Sequence, residues 1–550
     1  MVRHINKIMW LFAVLLSPTF ITCRTYCAEI EKAGVYSVVE LTFKGPEQNE
    51  TDVPARDIDF WLRIRYETGS PEYKIHGFWD GDGNDGTSGN VFKVRFCPTK
   101  TGCWNIVETY SNKPGLHGQK QGDYLIAKSS NHPGFWIVDS KSPGSRWYMR
   151  SDGSHPYIFG NTHYSFLSGY QTGNKSSGNN IAADIAGNAK YFKKLRFTLH
   201  CDRYPNPDEK PFFDDNGQLT DQGNYSHRPN PRWFSQRADM AVQTAWKHDL
   251  IADLILCGPD TEDSRSILRA DNNDGDPTPW LKYAAARYGS FPNVWICLCN
   301  EYEIKTPKYT EEEIARFGRI IKKYLPYPTP LSVHSTPRTL WSNNFDELPE
   351  WNDHQIIQKK IRNLPDSADV IQYTWQNRHG QKPRNKPTVN DELSYQGKGD
   401  KHTEHDNIES HLGVFLGGGY GTTGEKPANK LGQYFKGCFN PAEHTAADNL
   451  KYLRQIIDTH ISFWKMSPDT NIFSNLHSSF RGLAWPGHEY VLGTNKAHKN
   501  IIACLPAGAW TVRQYDIINK KAVTLSENAR NRFTFDSPNS RAVLFHFKKQ

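Results

Sequence analysis

Two short apolar runs in this 550-residue chain stop at carboxylates. Val294-Trp-Ile-Cys-Leu298 leads through Cys299 to Asn300 and Glu301, and Pro387-Thr-Val389 leads through Asn390 to Asp391 and Glu392. Each run reads as a buried strand. A carboxylate at the end of such a strand, beside an amide able to hold a hydroxyl, suits general acid/base work. Two carboxyl groups about 5–5.5 Å apart are equipped to cleave a glycosidic bond with retention, one as acid/base and one as nucleophile. Sharing a site pushes their pKa values apart, so that one holds a proton and the other attacks. Either glutamate alone is as readily a helix cap or a salt-bridge partner of Arg203 or Arg384. Two of them at corresponding strand ends argue for chemistry. Asp391 competes with Glu392 for the attacking role.

The elements that must position the pair are a run of strands and helices. Tyr157–Phe159, Phe197–Cys201, Leu250–Leu256, Val294–Leu298, Leu331–Val333, Asp369–Tyr373, Pro387–Val389 and Gly413–Leu416 read as strands one to eight. Helical periodicity fills the gaps at Ala182–Leu195, Trp233–His248, Pro279–Arg287 and Glu311–Tyr324, with a further helix near Asn407–Leu412. Repeated alternation of this kind predicts a (β/α)8 TIM barrel with right-handed crossovers and its chemistry at the C-terminal ends of the strands. Strands four and seven face each other across such a barrel, which brings Glu301 and Glu392 together over its mouth. Only about a dozen residues separate the sixth and seventh strands, the least a parallel crossover can use. Other polar or aromatic residues fall at predicted strand ends. Asn300, Arg203, His334, Tyr373, Trp375, Tyr420 and His163 are candidates to bind sugar hydroxyls or stack on a ring, and Asp202 and Asp260 lie beside them.

The flanks are different in kind. Residues 28–144 alternate and turn as an all-β module, with Phe60–Tyr66, Val91–Phe96 and Trp104–Tyr110 as strands, and an immunoglobulin-like sandwich is expected. Residues 466–550 return to alternation and predict a second, smaller β-sandwich. The loop Asp80-Gly-Asp-Gly-Asn-Asp-Gly86 lacks EF-hand spacing, with Asp85 where glycine is needed and Val91 where glutamate is needed, and reads as a turn. Residues 1–27 carry Arg3 and Lys7, then an apolar run from Ile8 to Leu16, the pattern of a secretory signal. That run is too short for a permanent membrane span. Lipid attachment at Cys23 is the less favoured alternative, because Thr22 is large for the position before the cysteine. Export permits disulfides; Cys97 and Cys103 flank a turn and are candidates to pair, whereas Cys297 and Cys299 read as packed thiols. The formal charge of +7 is mild for this length and is no nucleic-acid footprint. No cysteine or histidine spacing suggests a metal. Cofactor-independent chemistry on a carbohydrate substrate is therefore expected. The alternative is a non-catalytic carbohydrate-binding or adhesion protein on a degenerate barrel.

Three motifs sharpen this. Ser151-Asp-Gly-Ser-His-Pro156 runs to Phe159-Gly-Asn-Thr162, Lys386-Pro-Thr-Val-Asn-Asp-Glu392 follows, and then Gly417-Gly-Gly-Tyr-Gly-Thr-Thr-Gly-Glu425. With Asn300-Glu301 they resemble the apiosidase-like family within clan A of the glycoside hydrolases. The resemblance implies a secreted retaining glycosidase with Glu301 as acid/base, Glu392 as nucleophile and a plant or algal polysaccharide or oligosaccharide as substrate. It departs at Asn161, where the family has an aspartate. Gly77–Gly81, Val94–Pro98 and Gly102–Trp104 resemble the Ig-like accessory domain that precedes such barrels, and the last domain resembles the β-domain labelled collagen-binding that follows them.

Overall fold

The computed structural model describes residues 28–164, 167, 178–200, 209–258, 266–270, 273–304, 306–335, 350–376, 382–397, 401–425, 442 and 444–550. Arg203, Asp202, Asp260 and the expected signal segment lie outside the described residues.

The middle of the chain is an eight-stranded, all-parallel sheet. Its strands are β1 (Phe159–Thr162), β2 (Lys194–Thr198), β3 (Ile251–Ile255), β4 (Val294–Cys297), β5 (Leu331–Ser332), β6 (Gln355–Ile357), β7 (Thr388–Gln396) and β8 (Tyr420–Glu425), in spatial order 5-4-3-2-1-8-7-6. That is the cyclic order of a (β/α)8 barrel. Among the described residues no ladder joins β5 to β6. Asp353 ties that seam at its base, donating its N–H to the Leu331 carbonyl at 2.8 Å and accepting the Leu331 N–H on Oδ2 at 2.9 Å. The barrel strands are buried almost throughout, as a sheet covered on both faces requires. The outer helices are α1 (Gly178–Ala189), α2 (Met240–Lys247), α3 (Thr278–Tyr288), α4 (Glu311–Lys322), α5 (Leu364–Trp375), α6 (Glu404–Leu416) and α7 (Ala447–His460).

Two expected strands are helices. Asp369–Tyr373 lies in α5. The Asn363 side chain caps that helix by accepting the Asp366 N–H, Pro365 stands in its first turn, and Leu364, Ser367, Ala368, Ile371 and Thr374 are buried at helical spacing. The adjacent Val370-Ile371 pair imitates a strand only if the cap is overlooked. Gly413–Leu416 is the end of α6, which opens on a capping box between Thr403 and Asp406. The true sixth strand is the short Gln355-Ile-Ile357, and the true eighth begins at Tyr420. With β6 placed there, the crossover to β7 has a full helix and the short link disappears. The carboxyl end of the predicted first helix, at Leu195, is instead part of β2.

The first flank is a sandwich of two sheets. Glu29–Gly34, Tyr124–Lys128, Gly102–Ser111, Phe60–Tyr66 and Glu72–His76 form one, and Val39–Gln48, Gly89–Phe96 and Phe78–Trp79 the other. The acidic loop is a turn, as its composition suggests: Asp82 Oδ1 accepts the N–H groups of Asn84 at 2.7 Å and Gly86 at 2.8 Å. Cys97 and Cys103 are free thiols rather than a pair, and Cys297 and Cys299 are buried thiols. The last flank is likewise two sheets, of six and three strands, starting at Ser467 and ending at Lys549. It grips the barrel through Arg481 on Asp369, at 2.6 Å, and Arg541 on Asp406, at 3.1 Å.

A buried ionic cluster joins the first sandwich to the barrel. Arg95 meets Asp239 at 2.5 Å and donates to the Arg287 carbonyl at 2.8 Å, while Arg287 pairs with Asp239 at 2.8 Å and with Asp80 at 3.0 Å. The two guanidinium groups hold the Asp239 carboxyl well below the usual carboxylate range, against the opposing effect of burial. Removing Asp239 would leave two buried cations facing each other with too few acceptors. Asp239→Ala is therefore expected to cost about 3–5 kcal/mol and to lower the thermal unfolding midpoint of the full chain, whereas Lys521→Ala on an exposed strand of the last sandwich leaves it nearly unchanged.

Candidate active site

Asn300 and Glu301 follow β4 at the mouth of the barrel. The Asn300 N–H reaches back to the Cys257 carbonyl at 3.1 Å, and the Leu298 N–H to Ser332 at 2.8 Å, so the strand edges hold this segment beyond the ladder itself. Glu301 then adopts a left-handed backbone, φ 49°. A non-glycine residue pays for that conformation and keeps it only where its surroundings dictate it, which is common at functional sites.

Glu392 reaches the mouth by another device. In a regular strand adjacent side chains point to opposite faces. Between Asn390 and Ser394 the register of β7 against β8 shifts, so that β7 carries extra residues there. Such a bulge re-aims side chains, and both Asp391 and Glu392 turn to the inside of the barrel. They meet different company. Asp391 accepts Lys194 Nζ at 2.5 Å and the Thr422 hydroxyl at 2.6 Å, and Lys194 also pairs with Asp253 at 3.0 Å. All four are buried, and the cation keeps the Asp391 carboxyl well below its ordinary value. Gly160 on β1 leaves room for the lysine, since a Cβ there would stand 2.9 Å from Lys194 Cε and 2.7 Å from Thr422 Oγ1. Asp391 is thus the counter-ion of a buried lysine, and Glu392 is the carboxylate that faces Glu301.

Glu392 is gripped on both oxygens. The Tyr164 hydroxyl donates to Oε1 at 2.5 Å, and Gln358 Nε2 donates to Oε2 at 2.9 Å. The same Gln358 nitrogen donates to Glu301 Oε1 at 2.8 Å. One nitrogen in reach of both carboxylates confines the two bonded oxygens to less than about 6 Å of each other, by the ordinary length of such bonds. Burial and the charge of Glu301 raise the Glu392 carboxyl to about 7, while Arg196 and the Tyr164 hydrogen bond pull the other way.

Arg196, on β2 and fully buried, organises the remainder. It donates to the Tyr164 hydroxyl at 2.7 Å, to Asn300 Oδ1 at 2.5 Å and to His334 Nδ1 at 2.8 Å, and lies 3.7 Å from Asp391 Oδ2. His334 also contacts Asn300 Oδ1. Burial and Arg196 hold the His334 imidazole neutral, well below its ordinary pKa.

Of the residues singled out in the sequence, Glu301, Glu392, Asn300 and His334 come together, and four others do not. His163 is buried against Asp184, with Nδ1 at 2.9 Å from its carboxylate, and is bonded to that helix rather than to the pair. Tyr373 sits on α5. Trp375 ends that helix, donates Nε1–H to the Gly144 carbonyl at 3.1 Å and lies under the Arg146 guanidinium, at the opposite end of the barrel from the pair. Tyr420 begins β8 instead of ending it, and its hydroxyl accepts the Tyr148 N–H at 2.8 Å within an aromatic floor of Trp147 and Tyr157. Tyr164, Arg196 and Gln358 were not anticipated. Lys194 and Arg196 stand two apart around Leu195, a signal for an inward strand face that a helical reading of Ala182–Leu195 obscures. Gln358 was hidden because β6 was misplaced.

The comparisons with known proteins agree with this geometry at the level of family and fold. Residues 194–413 match the model described as "Apiosidase-like, catalytic domain", and residues 32–111 match "Domain of unknown function (DUF5060)". A candidate glycoside hydrolase from Bacteroides vulgatus ATCC 8482 superposes with a TM-score of 0.73 at 18% identity, over 94% of this chain and 100% of that one. A family 5 glycoside hydrolase from the same organism superposes with a TM-score of 0.56 at 13% identity, over 76% of this chain and 94% of that one. At these identities the likeness is one of fold. No curated protein matches the chain in sequence. The resemblance read from the strand-seven motif therefore holds over the matched barrel residues.

The raised carboxyl has a measurable consequence. Its folded pKa stands above the unfolded value of about 4.3. Between those values the unfolded chain releases its proton first, so Glu392 costs stability as pH rises from ~4.3 through ~7. Glu392→Gln is expected to raise the unfolding midpoint at pH 8 and to leave it nearly unchanged at pH 4. Infrared difference spectra across a pH titration should place the Glu392 carboxyl near 7 in the wild type and lower in Glu301→Gln, where the neighbouring charge is gone.

Proposed function

We propose that this chain, whose barrel matches the apiosidase-like catalytic domain, is a retaining glycoside hydrolase acting on a plant or algal polysaccharide or oligosaccharide. The observation that carries the reading is the single amide bridging Glu301 and Glu392. It supports a carboxylate spacing of the retaining class, about 5–5.5 Å, over the ~6.5–9.5 Å that leaves room for a water in inverting enzymes.

In this reading the proton that burial and Glu301 favour on Glu392 in the free protein passes to Glu301 as the sugar enters. The ionised Glu392 attacks the anomeric carbon through one oxygen while Tyr164 and Arg196 stabilise the carboxylate from the other side. Glu301 protonates the leaving oxygen as the glycosidic bond breaks. A covalent glycosyl ester on Glu392 results. Glu301, now ionised, takes a proton from water as that water attacks the same carbon, releasing the sugar and regenerating both groups. Asn300, fixed by Arg196 and His334, is placed to hold a hydroxyl of the ring bound at the cleavage point. Arg203, on the segment after β2, remains a candidate substrate contact. The N-terminal basic and apolar pattern fits a protein exported to meet such a substrate, and none of the described helices is long and apolar enough to cross a membrane.

The test is release of reducing sugar from a panel of plant and algal polysaccharides that includes an apiose-bearing glycan. Wild type is expected to cleave at least one member. Glu392→Gln should fall to background. Glu301→Gln should lose about 10²–10⁴-fold on natural leaving groups and recover on activated aryl glycosides, which depart without a proton. Binding without cleavage by the wild type would instead favour a carbohydrate-binding protein.

A further inference from the structure

Gln358 follows β6, at the edge of the same mouth, and its amide has a peculiar position. Its Nε2 lies 2.8 Å from Glu301 Oε1 and 2.9 Å from Glu392 Oε2. If the two glutamates flank a glycosidic bond, the point within reach of both is where the anomeric carbon and its leaving oxygen must lie. A near-attack complex needs the reacting carbon ~3–3.5 Å from the nucleophilic oxygen. The amide nitrogen, 2.9 Å from Glu392 Oε2, occupies that space.

Each oxygen of Glu392 keeps a lone pair beyond its one hydrogen bond, but a ring can approach that oxygen only if the donor in front of it makes room. Tyr164 is the firmer of them. It is buried, and Arg196 holds its hydroxyl at 2.7 Å. Gln358 is half-buried, and its Oε1 has no hydrogen-bond partner among the described residues. Among the described residues the side chain is therefore anchored at the mouth by its nitrogen alone. A carboxylate pair accepts but does not donate when ionised, which fixes the nitrogen toward the glutamates and the oxygen away from them.

We propose that Gln358 is a placeholder for the substrate, its amide filling the reacting position between Glu301 and Glu392 in the free protein and withdrawing when the sugar ring enters. In the free protein it donates to both carboxyl groups and offsets the repulsion between them when both are ionised. In the complex it leaves Glu392 Oε2 open to the anomeric carbon, and the freed amide turns to the hydroxyls of the ring that replaced it. The inference rests on the proposed hydrolase reading and adds to it a residue that gates access to the nucleophile and selects for a ring carrying hydroxyls on that side.

The test compares the free protein with the complex, using Gln358→Ala and Gln358→Met; the second keeps the bulk and cannot donate. The groups that face Glu392 are Glu301 after β4, Arg196 on β2, Tyr164 after β1, Lys360 after β6 and, on its own strand, Tyr395, and both variants leave all of them in place. In infrared titrations without substrate, loss of a donor to the carboxylate should move the Glu392 carboxyl upward by roughly one pH unit. On the polysaccharide that the wild type cleaves, the acidic limb of kcat/KM, which reports the free enzyme, should move up with it. The acidic limb of kcat, which reports the complex, should stay, while KM rises because the ring loses the hydroxyl contact of the amide. An unmoved infrared titration overturns the contact. A kcat limb that moves as far as that of kcat/KM, or a kcat loss beyond about 100-fold, means that Gln358 stays on Glu392 throughout and overturns the exchange. If the wild type cleaves nothing on the panel, the hydrolase reading fails and this inference falls with it; the infrared result separates the two failures.

Discussion

Arg196 has no access to water, and a buried guanidinium is tolerated only where acceptors surround it. It finds them on four sides of the barrel: Tyr164 beyond β1, Asn300 beyond β4, His334 beyond β5 and Asp391 on β7. Meeting those needs fixes the relative placement of strands that are distant in sequence. It also orients the Tyr164 hydroxyl, which in turn fixes Glu392. Lys194, one inward position earlier on β2, does the same a layer deeper with Asp253 and Asp391. Two cations on one strand thus set the geometry of the mouth. A hydrophobic pair there would be easier to bury, but would leave nothing to aim the glutamates.

The flanking sandwiches serve the same end from outside. The Arg95, Asp239, Arg287 and Asp80 cluster pins the first sandwich to the ends of α2 and α3, and the second sandwich holds α5 and α6 through Asp369, Asp406 and Glu409. Those last two helices bracket β7, the strand whose bulge carries Glu392. Their packing restrains the irregular strand on which the nucleophile depends. A solvent-exposed bulge without such cover would be free to slip by a residue and turn Glu392 away.

Much of this was legible in the sequence because the signals were local. A buried apolar run leading to Asn-Glu, and another leading to Asp-Glu, mark the pair without any knowledge of the fold, although β7 does not stop at Glu392 but runs on through its bulge to Gln396. The barrel follows from alternating periods, and the sandwiches from alternation and turns. What failed were features that depend on distant partners. Val370-Ile371 imitates a strand until Asn363 is read as its helix cap. Gln355-Ile-Ile357 is too short to announce itself, so Gln358 had no strand to end. Tyr420 and Trp375 fall at the mouth only if Gly413–Leu416 and Asp369–Tyr373 are strands; those segments are helical, and both residues belong to the opposite end. Arg196 was passed over because a charged residue amid apolar ones reads as exposed, whereas its burial depends on acceptors from four other segments. Asp391 and Glu392 could not be separated by alternation alone, since the bulge that gives them different roles appears only in the pairing of β7 with β8.

The central claim is that Glu301 and Glu392 stand close enough for direct attack by a carboxylate and too close for an intervening water. The most direct measurement is the anomeric configuration of the first product, followed by proton NMR during cleavage of the active polysaccharide and before mutarotation. The account predicts a product with the configuration of the bond that was cut. A product of opposite configuration would mean that water, not Glu392, meets the anomeric carbon, and would contradict it.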